Sequence, residues 1–339
     1  MRRIVFRADG SAENGLGHIM RLLALVELLR DRFNCIFLSN NVDELLKNII
    51  LKSCSAKFIE VANVEEEMDA LKLLLTGEDI FVTDGYNFNE EYQIKIKKIV
   101  YKLVMIDDKA DMFYHADLII NHGLDQKSLI YKSSADTKIL TGFKYLIARK
   151  EFLSAATQKK NVKFIDTVFI CMGGSDPYHI TMKVLEACRY CDYIKKIYIV
   201  IGGLYNDKIE LEKLIAQIND KVIFCFQNVS SRDMVKYIEL SHIAFSTASS
   251  IAMEICCVKS GLITGVVVDN QNYINQQIVN NGCGYSVGNW SEISINEIVK
   301  VINKINKVSI VNAIIKNQSN FIDGKSGERI INFFNEIAA

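Results

Sequence analysis

Three short stretches carry residue types that could do chemistry. The first is ADGSAENGLGHIMR, residues 8–21, which holds three glycines and one histidine, His18. An apolar run precedes it and a long apolar-periodic segment follows, so His18 stands where a strand has ended and a helix begins. Two anion-binding fingerprints can be tested there. G-x-G-x-x-G is met by Gly15 and Gly17 but fails at Met20, and no acidic partner stands clearly some 20 residues on. G-x-x-x-x-G-K-[ST] is met by Gly10 and Gly15 but fails at Leu16 and Gly17. The loop has the shape of a phosphate loop without its lysine. His18 is either a plain helix-start residue or an acid–base group.

The second stretch is CMGGSDP, residues 171–177. Gly173 and Gly174 let backbone amides come close to a ligand. Ser175 or Asp176 could cap a helix begun by Pro177 and Tyr178. A glycine turn that opens a helix is an anion site, or simply a tight turn. The third stretch is STASSIAMEICC, residues 246–257. Ser249 and Ser250 are small donors at a helix start, and Glu254 follows a turn later. A carboxylate there can accept two ribose hydroxyls while the serines reach phosphate oxygens. It could equally face solvent beside a serine cap. Two anion-suited helix starts in one half of a chain describe a diphosphate and its sugar.

These loops need a scaffold. Apolar strand patterns fall at 3–7, 34–38, 57–61, 79–83, 101–106 and 117–120, with helical patterns at 18–31, 42–53, 64–76 and 89–99. Residues 148–164 are charged and weakly periodic, and read as a crossing segment between domains. The alternation then restarts at DTVFICMGGSDP and continues through VVVDN, followed by helical patterns over NYINQQIVNNG, 291–306 and 326–337. Strand–helix alternation means a mostly parallel sheet covered on both faces. Two domains are expected, 1–150 and 151–339, with the last helices packing back on the first. Ligands of such sheets bind at the carboxyl ends of strands, where all three stretches fall.

Composition excludes several classes. Lys+Arg and Asp+Glu both number 40, and the first 150 residues hold 21 and 22 of them, so neither half offers a basic face for nucleic acid. No apolar run is long enough to span a membrane, and no secretory signal pattern opens the chain, so it reads as cytoplasmic. Nine cysteines include Cys188-x-x-Cys191, with no second pair, and the adjacent Cys256 and Cys257. They read as small buried hydrophobes in a reducing compartment. No metal and no cofactor are expected, nor an obligate protein partner; the chain is expected to act as a monomer.

FRADGSAENGLGHIMR, ICMGGSDP, ASSIAME and VDNQ, in that order, resemble the family of UDP-2,4-diacetamido-2,4,6-trideoxy-β-L-altropyranose hydrolases of pseudaminic acid biosynthesis. That family is similar to the B-type-fold glycosyltransferases. The resemblance covers roughly residues 1–285. It implies an α/β fold of two doubly wound Rossmann-like domains facing a cleft, with the sugar on the N-terminal side and UDP on the other. It also implies a catalytic His18. The substrate side would hold Asp9, Gly15, Gly17, Arg21, Asp84, Tyr86, the Asp107–Asp108 pair, Asn121, Tyr145, Asn270 and Gln271, with Arg149 ending the first domain. Gly173, Gly174, Ser175, Val229, Ser249, Ser250 and Glu254 would hold the nucleotide. His122 departs from the family pattern. The chemistry implied is single displacement. His18 takes a proton from water, and UDP leaves from the opposite face, so the anomeric centre inverts. Asp9, Asp84 and Asp107 each remain candidates to orient His18. A UDP-sugar glycosyltransferase is the alternative reading.

Overall fold

The computed structural model describes residues 1–10, 17–123 and 130–339, apart from the Leu45 side chain. It divides into two compact units, Met1–Lys150 with Lys325–Ala339, and Glu151–Gly324. The first unit runs β1 (Arg3–Arg7), α1 (Gly17–Leu29), β2 (Asn34–Asn40), α2 (Glu44–Ser53), β3 (Ser55–Ile59), α3 (Val64–Leu74), β4 (Ile80–Asp84), α4 (Glu90–Ile96) and β5 (Lys102–Ile106). Four short strands follow: β6 (Phe113–Tyr114), β7 (Leu118–Asn121), β8 (Lys132–Ser133) and β9 (Lys138–Thr141). Seven of these strands form a parallel sheet in the order β3-β2-β1-β4-β5-β7-β9, while β6 and β8 pair separately.

The second unit begins with α5 (Lys150–Ala156). It continues β10 (Thr167–Ile170), α6 (Ile180–Arg189), β11 (Lys196–Ile201), α7 (Lys208–Ala216), β12 (Val222–Gln227), α8 (Ser231–Glu239), β13 (Ile243–Thr247), α9 (Ser250–Val258), β14 (Gly261–Val266), α10 (Asn272–Asn280), β15 (Tyr285–Asn289), α11 (Ile295–Ile305) and α12 (Val308–Phe321). Its sheet is also parallel, in the order β12-β11-β10-β13-β14-β15. In each sheet the strand order reverses beside the first strand. The switch points lie at β1/β4 and β10/β13, the positions beside which open parallel sheets bind ligands.

Burial follows strand position. Every residue of β4, IFVTD, and of β10, TVFI, is buried, as central parallel strands require. The edge strand β12 is nowhere fully buried. Helix starts carry the polar residues that suit them. The Asp43, Asn63 and Asn89 side chains accept from Leu46, Glu66 and Tyr92 amides, and Ser294 with Glu297 makes a capping box on α11.

Three features depart from the sequence expectations. The stretch 148–164 is not merely a connector. It contains α5, whose Phe152, Leu153, Ala155 and Ala156 are buried and whose Ala156 carbonyl accepts from Lys259 Nζ at 2.7 Å. The flanking lysines hid that apolar face. Helix α12 lacks a side-chain cap and charge in its end turns, yet it buries Val311, Ile314, Ile315 and Gln318 along one face. The strand β9 has only four residues, and β15, nowhere fully buried, contains Gly288, so neither shows a period.

The final helix, α13 (Ser326–Ala338), belongs to the first unit. Ile330, Phe334 and Ile337 recur at i, i+4 and i+7 and enter the core that also holds Ile4, Leu22 and Phe33. The Phe33 and Phe334 ring centroids are 6.4 Å apart. Phe334 is fully buried, so Phe334→Ala should cost about 3–5 kcal/mol in chemical denaturation. A loss below about 1 kcal/mol would show that α13 is dispensable to that core.

Candidate functional site

In the first unit the chemistry gathers at the carboxyl ends of β1, β4, β5 and β7. His18 and Arg21 are three residues apart on α1 and share a face. Asp84, the last residue of β4, is fully buried. His18 Nδ1 lies 2.6 Å from Asp84 Oδ1. Arg21 forks across two carboxylates. Its Nε and Nη2 donate to Asp84 Oδ2 and Oδ1, both at 2.6 Å. Its Nη1 and Nη2 donate to Asp108 Oδ1 and Oδ2 at 2.7 and 2.9 Å. Among Asp9, Asp84 and Asp107, the carboxylate on His18 is therefore Asp84.

The other two are engaged elsewhere. Asp9 accepts from the Arg7 guanidinium and from the Asn40 amide at 2.8 Å. Arg7, itself buried, also donates to both oxygens of Glu67, which in turn accepts from Tyr92 Oη at 2.8 Å. Asp107 accepts from Tyr114 Oη and Tyr131 Oη at 2.7 Å each, and from the Lys109 and Ala110 amides.

The electrostatics follow from burial and this pairing. Burial by itself would raise the Asp84 and Asp108 carboxyls, but the Arg21 charge outweighs it and holds both below the usual range. Arg21 is opposed by the same burial, yet the two carboxylates keep it charged far beyond its ordinary range. Burial raises the Asp107 carboxyl, and the hydrogen bonds from Tyr131 and Tyr114, which pull the other way, offset this only in part. His122, just past β7, sits behind Arg21, with Nε2 at 3.2 Å from Nη1. Its Nδ1 accepts from the Ile147 amide at 3.2 Å, so both ring nitrogens face N–H donors, an arrangement that disfavours a protonated ring. Burial first, then Arg21, pushes its pKa down to about 4. His122 is a buried neutral ring.

Around His18, the Tyr86 ring stands edge-on with centroids 4.9 Å apart at 88°. A Cβ on Gly17 would meet nothing within 4 Å, so no described neighbour demands glycine there. Gly15 lies outside the described residues. Asn121 is buried, with Nδ2 donating to Tyr131 Oη at 2.8 Å. Tyr145 packs its ring against Phe333 of α13, with centroids 6.0 Å apart.

In the second unit the two helix starts differ. The expectation that Pro177 and Tyr178 open α6 is corrected. The chain turns through Asp176 (φ 50°) and His179 (φ 54°), and α6 begins at Ile180. The capping group is Asp176, not Ser175: Asp176 accepts from the Ile180 and Thr181 amides at 2.9 and 2.7 Å. The first amides of α6 are therefore taken by the protein's own carboxylate. Gly173 (φ 98°) and Gly174 remain as a backbone loop ahead of it. That loop packs on the turn after β11, where a Cβ at Gly202 would fall 2.2 Å from the Gly174 carbonyl oxygen.

Helix α9 has no side-chain cap. Ser249 is its N-cap, but its Oγ lies 3.0 Å from Thr247 Oγ1 instead. Glu254, one turn in, is buried rather than facing bulk solvent. Val229 directly precedes the α8 cap Ser230. Asn270 and Gln271 lie in a 3-10 turn, Asp269–Gln271, with Gln271 Oε1 accepting from the Val267 amide at 2.8 Å. Each candidate in this unit sits at the carboxyl end of one parallel sheet. Sequence reasoning missed Arg7, Lys109 and the place of His122. Only an arginine at the end of a central strand hinted at the first.

The nine cysteines are free thiols, seven of them buried. Among the described residues no group of three or more His, Cys, Asp or Glu could hold a metal ion, and no helix is long and apolar enough to cross a membrane.

No family model matches the chain. It is 29% identical over 225 residues to an uncharacterized protein of Methanocaldococcus jannaschii, MJ1062, covering 63% of this chain and 45% of that protein. It is 25% identical over 272 residues to the UDP-2,4-diacetamido-2,4,6-trideoxy-beta-L-altropyranose hydrolase of Campylobacter jejuni, covering 79% of this chain and 93% of that one. The chain thus spans about half of the first relative and nearly all of the second. Among solved structures it is similar to MurG of Acinetobacter baumannii, with a TM-score of 0.69 at 11% identity over 98% of this chain and 99% of that one. CalG4, the calicheamicin glycosyltransferase, gives 0.63 at 10% identity over 99% and 98%. The resemblance read from the motifs holds, and the fold is the B-type glycosyltransferase fold of two parallel-sheet α/β units.

The depressed His122 pKa makes acid stability a test. The unfolded chain, with an ordinary histidine pKa of 6.5, takes the proton before the folded one does as pH falls. Stability from the neutral ring is whole above pH 6.5 and is lost between 6.5 and about 4, by on the order of 3 kcal/mol. Loss from Asp84 and Asp108, whose folded pKa values are depressed, comes below about 4. In urea unfolding, His122→Asn should flatten the stability curve across the upper window alone; parallel curves for the two proteins would refute the neutral ring.

Proposed function

We propose that this protein, an enzyme acting on UDP-sugars, hydrolyses UDP-2,4-diacetamido-2,4,6-trideoxy-β-L-altropyranose to UDP and the free sugar with inversion. The observation that carries this reading is the 2.6 Å contact between His18 Nδ1 and Asp84. A carboxylate kept ionised by Arg21 accepts the Nδ1 proton, which leaves Nε2 as the basic atom. Among the described residues nothing hydrogen-bonds Nε2. Nε2 takes a proton from water as the water oxygen bonds to the anomeric carbon and the bond to UDP breaks. Asp84 steadies the imidazolium that results, and Arg21 steadies Asp84.

The second unit is assigned UDP. The growing negative charge on the diphosphate is met by the Gly173–Gly174 backbone and by the first amides of α9, which no side chain caps. The start of α6 is unsuited to this, because Asp176 holds its amides. Glu254 accepts from the ribose hydroxyls. The N-terminal unit is the sugar side, with Tyr86 beside the base. The likeness to C. jejuni hydrolase across most of both chains supports this substrate over others. The likeness of the whole chain to glycosyltransferases favours one second reading, transfer of the sugar to an acceptor hydroxyl by the same base.

The deciding experiment supplies the UDP-diacetamido sugar with no acceptor and follows UDP release in 18O-water. Hydrolysis places 18O on the free sugar's anomeric carbon. His18→Asn should lower turnover by about 10²–10⁴-fold, with UDP affinity by calorimetry unchanged. No release without an acceptor, or near-normal turnover in His18→Asn, would overturn the reading.

Glu254→Ala tests the nucleotide side. Losing a charged acceptor for two hydroxyls should weaken UDP binding by roughly tenfold or more. KM should rise while kcat changes much less. Equal UDP affinity in the two proteins would remove Glu254 from the ribose.

A further inference from the structure

One group beside the base has no part in the scheme above. The residues after β5 are Asp107, Asp108, Lys109 and Ala110. Asp107 is tied down by two phenols and takes the Lys109 and Ala110 amides at 3.1 and 2.8 Å. Ala110 is in the left-handed region, at φ 54°. The turn is thus fixed by its own acidic residue and sends its next two side chains to different places. Asp108 meets Arg21. Lys109 lies over the Tyr86 ring, with Nζ 4.1 Å from the centroid. Tyr86 in turn meets the His18 ring edge-on.

We propose that Lys109 is a positioning residue for the hydrolysis, acting on His18 through Tyr86. This rests on the reading of His18 as the base. Tyr86 is 42% exposed, so contacts on its ring, rather than burial alone, set where it stands. An ammonium over its face is one such contact and favours the observed ring orientation, because the ring's negative face attracts the cation. The restrained ring is a wall for the imidazole on one side, while Asp84 holds Nδ1 on another. A base must be aimed within a narrow cone to be effective, so a loosened wall lowers turnover without touching UDP binding. The pair also gives Asp107 a physical task. Its oxygens are filled by protein donors, and what it presents to the site is the lysine on the next turn.

A cation–π contact at a partly exposed site corresponds to roughly a two- to fivefold effect. Lys109→Met should lower kcat on the UDP-diacetamido sugar by that factor, with KM unchanged, while Lys109→Arg, which keeps a cation over the ring, stays near wild type. Tyr86→Leu should cost more, and the double variant Lys109→Met/Tyr86→Leu should fall no further than Tyr86→Leu alone. A second readout needs no substrate: the imidazole resonances of His18, assigned by their loss in His18→Asn. They should move in Lys109→Met and hold in Lys109→Arg, whether or not the hydrolase reading survives. The inference is overturned if those resonances are identical in wild type and Lys109→Met. A rise in KM for Lys109→Met would overturn it too, since the lysine would then touch substrate directly. So would kcat losses that multiply in the double variant.

Discussion

A single buried guanidinium holds the first unit's chemistry together. Arg21 is almost wholly inside the protein, with two carboxylates on it and a neutral imidazole behind it. A buried charge left unpaired would be prohibitive, and two buried carboxylates without a cation would be worse. Four charge-assisted bonds in fork geometry solve both problems at once, and lysine could not make them. The clamp also ties α1 to the ends of β4 and β5, the strands that carry Asp84 and the turn to Asp108. That tie carries His18, one turn before Arg21, onto Asp84. The position of the base thus follows from how the protein accommodates its buried charge.

The strand order explains why these groups can meet. In a parallel sheet each strand hands its chain to a loop at the same end. At the switch point beside β1, the strand order sets the carboxyl ends of β1 and β4 side by side. The second sheet repeats the arrangement beside β10, where the loops after β10 and β13 carry the glycine turn and the α9 start. The two units use the same architecture for unlike ends, one gathering carboxylates around a cation, the other leaving backbone amides open.

The contrast between α6 and α9 shows how fine that difference is. Both follow central strands, and small polar residues precede both in the chain. In α6 an aspartate turns back in the left-handed region and takes two amides. In α9 the serine at the corresponding place bonds a threonine hydroxyl, and the amides keep their donors. A helix start is an anion site only while its own chain does not fill it.

Much of this was legible in the sequence. Alternating strand and helix periods, with glycine and serine punctuation, specify two doubly wound α/β units, because those periods report which face each element must bury. The three loops were legible as well, since glycines and cap residues mark strand-to-helix junctions locally. What the sequence could not decide is which side chains meet. Asp9, Asp84 and Asp107 were equivalent as letters near strand ends; pairing with Arg7, Arg21 and two tyrosines told them apart, and those partners lie up to 63 residues away. Helix α12 and the buried face of α5 were likewise invisible, because their signal is contact with the core rather than propensity. His122, which in the sequence only departs from the family pattern, is set apart as a neutral ring by burial beside Arg21. Local patterns are written in neighbouring residues, but pairing, burial and charge are properties of the fold, set by which distant strands the sheet brings side by side.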